Sequence, residues 1–111
     1  VIAAQNRYQA GAGPNPFVLS HALLRALWAE ERDTSQPDVR VAVANENGFD
    51  GARLLDMEAA GSTQAIYQSF SQDAIDAGVF GAPIFVLKGE RFWGQDRLMF
   101  LERALAKAAA R

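Results

Sequence analysis

Gly81-Ala82-Pro83-Ile84-Phe85 and, one short turn later, Trp93-Gly94-Gln95-Asp96-Arg97-Leu98 decide how this chain folds. The first stretch reads as a turn into a buried strand; the second reads as the end of a return strand, running into a helix that starts with an amide and an acid. Between them, Ile84-Phe85-Val86-Leu87 is a short continuous apolar run, the pattern of a strand covered on both faces, and Lys88-Gly89-Glu90 supplies the turn into Arg91-Phe92-Trp93. A proline opening a strand is a place where a cis bond is often kept, because X-Pro gives up only about 0.5 to 1 kcal/mol for cis while other residues give up several times that. The expectation is a cis-Pro83 loop facing a helix N-terminus. Asp96 is expected to begin that last helix, with Leu98, Leu101 and Leu105 on one face and residues 106–111 fraying.

Upstream, the pattern is helical. Phe17 to Glu31 is the clearest helix, with Leu23, Leu24, Leu27 and Trp28 as an apolar stripe; Pro14 and Pro16 keep earlier residues from running straight into it, and residues 1–10 tolerate helix. Trp28 belongs to the stripe, so core packing is its expected role. Val39-Arg40-Val41-Ala42-Val43 alternates as a strand would and is followed by Asn47-Gly48, but Ser35 or Thr34 as N-cap, Pro37 in the first turn and Asp38 favour a helix ended by Gly48. A short helix from Asp50 turns Leu54 and Leu55 inward and ends at Gly61. Ser62 or Thr63 then caps a longer one, in which Ile66, Phe70, Ala74 and Ala77 recur at helical spacing until Gly78.

Composition sets outer limits. The chain has 111 residues, half of them hydrophobic, and a net charge of −2, so no basic stripe draws it to nucleic acid or to an anionic membrane surface. No apolar run approaches the roughly 20 residues that span a bilayer, and the opening Val1-Ile2-Ala3-Ala4-Gln5 lacks the regions of a signal peptide, so the expected setting is cytoplasmic. There is no cysteine, which removes redox Cys-x-x-Cys, disulfides and thiolate metal sites from these residues; any thiol must arrive with a ligand. His21 is the sole histidine and reads as an ordinary helix residue; no metal site is expected.

The stretch from Gly78-Val79-Phe80-Gly81-Ala82-Pro83 through Phe92-Trp93-Gly94-Gln95-Asp96-Arg97-Leu98, with Phe100-Leu101-Glu102-Arg103-Ala104-Leu105, resembles the C-terminal half of 2-hydroxychromene-2-carboxylate isomerases. These are thioredoxin-fold relatives of kappa-class glutathione transferases and DsbA-like proteins. The likeness extends upstream through Leu19-Ser20-His21-Ala22-Leu23-Leu24-Arg25-Ala26-Leu27-Trp28 to Asp33. It implies an α/β, thioredoxin-like fold with an inserted helical domain: residues 1–78 as that insertion and 79–111 as the β-β-α half of the thioredoxin unit. The N-terminal β-α-β would be missing. A lone apolar hairpin is marginal in water, so the chain is expected to be a piece of a longer protein.

The resemblance also implies a site. Glutathione would lie antiparallel to the residue before the proline, pairing with the N–H and C=O of Ala82, while Pro83 keeps that edge open. The γ-glutamyl end would sit near Gln95 and Asp96, the Asp96 carboxylate on the ammonium and helix-start amides on the carboxylate. The plain alternative for Asp96 is an N-cap, and the two roles can coexist. Trp93 either lines the pocket or packs on the final helix, and Ile84 departs from the small polar residue that often follows the proline. No residue of this chain is expected to be catalytic. The implied reaction, by the full-length protein, interconverts 2-hydroxychromene-2-carboxylate and trans-o-hydroxybenzylidenepyruvate through reversible addition of the glutathione thiolate, with an aromatic small molecule as substrate and a homodimer as the assembly. The present residues alone are expected to be inactive. A kappa-type transferase and a DsbA-like, non-enzymatic peptide-binding module are the alternatives.

Overall fold

The structure is a computed structural model describing residues 1–110. In chain order it contains α1 (Ile2–Gln9), α2 (Pro16–Trp28), α3 (Pro37–Glu46), α4 (Gly51–Ala59), α5 (Gly61–Asp76), β1 (Ile84–Leu87), β2 (Glu90–Trp93), a 3-10 turn (Gln95–Arg97) and α6 (Leu98–Ala109). Two compact units result, Val1–Gln68 and Ser69–Arg111, with the division falling inside α5.

In the helical unit, local chemistry sets the helix starts. Asn15 accepts from the Phe17 amide at 3.0 Å, and Pro16, which has no N–H to leave unpaired, opens α2. Asp50 accepts from the Arg53 amide at 3.1 Å and caps α4. Two expected caps are replaced. Gln36, which makes no side-chain cap bond, precedes Pro37 in α3, because Ser35 is turned toward Asp33, its hydroxyl donating at 2.6 Å. Helix α5 begins at Gly61, so Ser62 and Thr63 lie inside its first turn, and Thr63 is buried.

The core of this unit joins Ala3 and Ala4 of α1, Leu19 of α2, Ala44 of α3, Phe49 of the α3–α4 connection and Leu54 of α4, with Leu23 and Met57 at its margin. Small residues bring the helices close: a Cβ on Gly51 would lie 2.5 Å from the Val41 carbonyl oxygen, so α4 approaches α3 at a distance only glycine allows. Arg40 ties the same pair together, with Nη2 at 2.6 Å and Nε at 3.2 Å from Glu58, while Nη1 donates to the Thr34 and Ser35 carbonyls.

Helix α2 turns a different face inward from the one its leucine stripe implies. Leu19 and Ala26 are buried, whereas Leu24 and Leu27 are exposed and Trp28, expected in the core, is 79 % exposed. The helix carries apolar residues on most of its sides, so its pattern alone does not select the face that its neighbours cover. Phe70 is likewise exposed on α5 rather than turned inward.

In the second unit, β1 and β2 form a two-stranded antiparallel sheet pairing Ile84 with Trp93, Phe85 with Phe92, Val86 with Arg91 and Leu87 with Glu90. Lys88 and Gly89 both have positive φ, 51° and 85°, giving the two-residue turn whose twist matches a hairpin, and Glu90 is the first residue of β2 rather than part of the turn. Helix α6 lies against both strands. The expectation of a strand covered on both faces is not met here, since Phe85 and Val86 of β1 are exposed. Along α6, Leu98 and Leu105 are exposed as well, and Leu101 is half-buried.

Candidate functional site

The hairpin register organises everything around residue 83. Gly94 donates its amide to the Pro83 carbonyl at 2.9 Å, extending the ladder one residue beyond β1 and β2. Antiparallel pairs alternate between bonded and non-bonded, so 83/94, 85/92 and 87/90 are the bonded pairs. The amides and carbonyls of Ile84 and Val86 therefore point away from β2, along the open edge of β1 in a sheet of two strands. The Ala82–Pro83 bond is cis. Ala82 is exposed, and among the described residues neither its N–H nor its C=O makes a hydrogen bond.

Gln95 and Asp96 occupy the 3-10 turn that leads from β2 into α6. This corrects the expectation that Asp96 starts the last helix: Gly94 precedes the turn, Arg97 precedes α6, and neither end has a side-chain cap. Asp96 thus caps no helix. Its carboxylate has no hydrogen bond or ion pair among the described residues, and it folds back on Gly94, where a Cβ would come within 2.5 Å of Oδ1. Gly94, at φ 103°, supplies both the backbone conformation and the clearance.

Sequence reasoning brought four residues forward, and the register sets them close together: Ala82 and Pro83 enter β1, while Gln95 and Asp96 leave β2 directly after the 83/94 pair. Trp93 makes a T-shaped contact with Phe80, centroids 5.4 Å apart, and is 56 % exposed. Residues 79–98 contain no Ser, Thr, Tyr, His or Cys. The site thus offers backbone groups, the Gln95 amide and one carboxylate but no nucleophile or neutral acid–base.

Sequence reasoning missed a cavity of about 310 Å³ in the helical unit, walled mainly by Ile2, Ala4, Leu19, Leu23, Leu54 and Leu55, with Thr63 and the Arg40–Glu58 pair among its lining. None of the four residues lines it. His21 borders a shallower, charged depression with Arg25, Glu30, Arg32 and Glu46. No cluster among the described residues could hold a metal ion. Nor is any described helix long and apolar enough to cross a membrane.

The DSBA-like thioredoxin domain matches residues 9–106. The chain belongs to that family. Within the DSBA-like family it is similar to proteins named 2-hydroxychromene-2-carboxylate isomerase. With the Pseudomonas putida protein it is 26% identical over 100 residues, 90% of this chain and 49% of that protein. With the Sphingobium xenophagum protein it is 31% identical over 84 residues, 76% of this chain and 43% of that one. The chain spans about half the length of the curated relatives it matches. No solved structure matches it. The hairpin and most of the terminal helix of this DSBA-like chain fall within the matched residues.

Proposed function

We propose that Ala82, Pro83, Gln95 and Asp96 form half of a glutathione site in a glutathione-dependent isomerase that interconverts 2-hydroxychromene-2-carboxylate and trans-o-hydroxybenzylidenepyruvate. The observation that carries this reading is the pairing of an unbonded Ala82 backbone with an unpartnered Asp96 carboxylate on the two sides of one ladder bond.

The groups present fit a thiol tripeptide. The Ala82 N–H and C=O supply the donor and acceptor that an added extended peptide needs. Asp96 suits the α-ammonium of a γ-glutamyl group, and a charge-assisted bond of that kind is among the stronger ones available at a surface. Gln95, exposed beside it, has an amide side chain able to donate to the neighbouring carboxylate. Glutathione, when bound, supplies the thiol that adds to a conjugated substrate. This chain's own part is to bind and orient it. With no hydroxyl, imidazole or thiol in residues 79–98, the group that lowers the thiol pKa stands elsewhere in the whole protein.

The open edge of β1 favours a second reading, a DsbA-like module that holds extended peptides on Ala82, Ile84 and Val86. Titration followed by amide NMR separates the two. Glutathione is expected to shift the Ala82 and Asp96 amides, and cysteinylglycine, which lacks the γ-glutamyl group, to bind more weakly; Asp96→Ala is expected to abolish that difference. Equal binding of both thiols by the native chain, or glutathione shifts confined to other residues, would end the glutathione reading. For the reaction, the full-length protein is assayed with a chromene carboxylate against a halogenated nitroaromatic; turnover of the second alone would make it a transferase.

A further inference from the structure

Arg91 and Trp93 stand two residues apart on β2, so strand alternation turns both to one face of the hairpin, opposite the buried Phe92. Both reach back to the segment that leads into Pro83. Arg91 Nη1 donates to the Gly78 carbonyl at 2.9 Å. The Trp93 ring meets Phe80 edge-on, 5.4 Å between centroids with planes at 65°. Its Nε1 edge also comes up against the chain at Gly81, where a Cβ would be 2.8 Å from Nε1, so the indole fills the space a side chain there would need. The Gly94-to-Pro83 bond closes a third point. Residues 78–83 are thus fastened to β2 and its exit at Gly78, at Phe80 with Gly81, and at Pro83. Ala82 lies between the last two fastenings.

These contacts are exposed, so each is individually modest, but they act on one short segment that has no strand partner of its own among the described residues. We infer that Arg91 and Trp93 are positioning residues: they brace residues 78–82 so that the Ala82 amide and carbonyl are held in place for a peptide thiol, without touching it. The inference rests on the glutathione reading for its purpose and on the hairpin alone for its geometry. It also gives Gly81 a specific reason to be glycine, which is clearance for the indole rather than backbone freedom.

The test combines amide hydrogen exchange with glutathione titration, on the native chain and on Trp93→Ala, Trp93→Phe, Arg91→Ala, Arg91→Lys and Gly81→Ala. Removing one edge-on ring contact or one side-chain tie is expected to speed exchange of the amides of residues 79–82 by about tenfold and to weaken glutathione binding to a similar extent, with protection in residues 1–68 unchanged. Trp93→Phe, which keeps the edge contact, and Arg91→Lys, which keeps a donor, are each expected to recover part of the loss. The decisive arm is a double-mutant cycle. Gly81→Ala is expected to cost binding and protection when Trp93 is present and little when Trp93 is Ala, because the Cβ then has room.

Equal effects of Gly81→Ala in both backgrounds, or unchanged exchange at residues 79–82 in Trp93→Ala and Arg91→Ala, would overturn the brace. Should Trp93→Ala unfold the hairpin, the same cycle is run with Trp93→Leu, whose side chain is too short to cover Gly81. A native chain that binds no glutathione yet shows the exchange pattern would keep the brace and refute the glutathione reading. Glutathione binding without the exchange pattern would do the reverse.

Discussion

The two units of this chain bury very different fractions of their apolar residues. Ala3, Ala4, Leu19, Ala26, Val43, Ala44, Phe49 and Leu54 are all buried in Val1–Gln68, while Phe92 is the one buried hydrophobic residue of Ser69–Arg111 among the described residues. The second unit instead leaves Phe80, Phe85, Val86, Trp93, Met99 and Phe100 exposed. Burial of apolar surface is the main source of stability, so the first unit carries most of the buried core, while the proposed site lies in the second. The backbone groups and the carboxylate of the proposed site sit where the structure is least buried, and they are placed by register and side-chain ties rather than by a core.

The largest expected effects test that contrast. Phe49→Ala, in the helical core, is expected to lower stability by about 3–5 kcal/mol, whereas Phe85→Ala, on the exposed face of β1, should change it by less than about 1 kcal/mol in chemical denaturation. Comparable losses would mean that the hairpin face is covered in solution. Next comes Phe92→Ala, which is expected to remove exchange protection from the β1–β2 amides while leaving the unfolding midpoint of residues 1–68 in place. Loss of both together would merge the units into one cooperative block. Arg40→Ala, which leaves Glu58 and two backbone carbonyls without their partner, is expected to cost about 1–3 kcal/mol, again in the helical unit.

The smallest effect is one of pH. The Arg32 guanidinium, 2.8 Å from Glu46, holds that carboxyl below its ordinary value, and the Ser35 hydroxyl and amide do the same for Asp33. A carboxylate depressed in the folded state stabilises it above the unfolded pKa, and that contribution is lost as pH falls through the folded value. Acid unfolding followed below about pH 4.5 should therefore be shallower in Glu46→Gln than in the native chain. Both carboxylates are exposed, so the change is a small one, reduced further by salt.

Legibility followed the same division. Helix starts with a chemical signature were readable, as at Asn15-Pro16 and Asp50, because a cap is a local interaction. The hairpin was readable too, from a continuous apolar run and a Lys-Gly turn. What misled was the breadth of the apolar surface. Trp28 sits in an apolar stripe, but α2 packs through Leu19 and Ala26, and a helix apolar on most sides does not declare which face its neighbours will take. Asp96 misled in another way, since an acid at a helix start reads as a cap until the 3-10 turn is seen to carry it past the helix end. The cavity of the helical unit had no sequence signal, because it is formed by residues from five helices that only the fold brings together.

Asp96 and Asp50 give the most direct test of the central claim that the hairpin site holds a free carboxylate for a ligand. Thermal unfolding and glutathione titration are to be run side by side on Asp96→Ala and Asp50→Ala. The account predicts that Asp50→Ala loses about 1 kcal/mol of stability as a true cap and keeps its glutathione affinity. Asp96→Ala should keep its midpoint and bind glutathione at least about tenfold more weakly, as loss of a charge-assisted bond requires. A lowered midpoint in Asp96→Ala with undiminished glutathione affinity would contradict it.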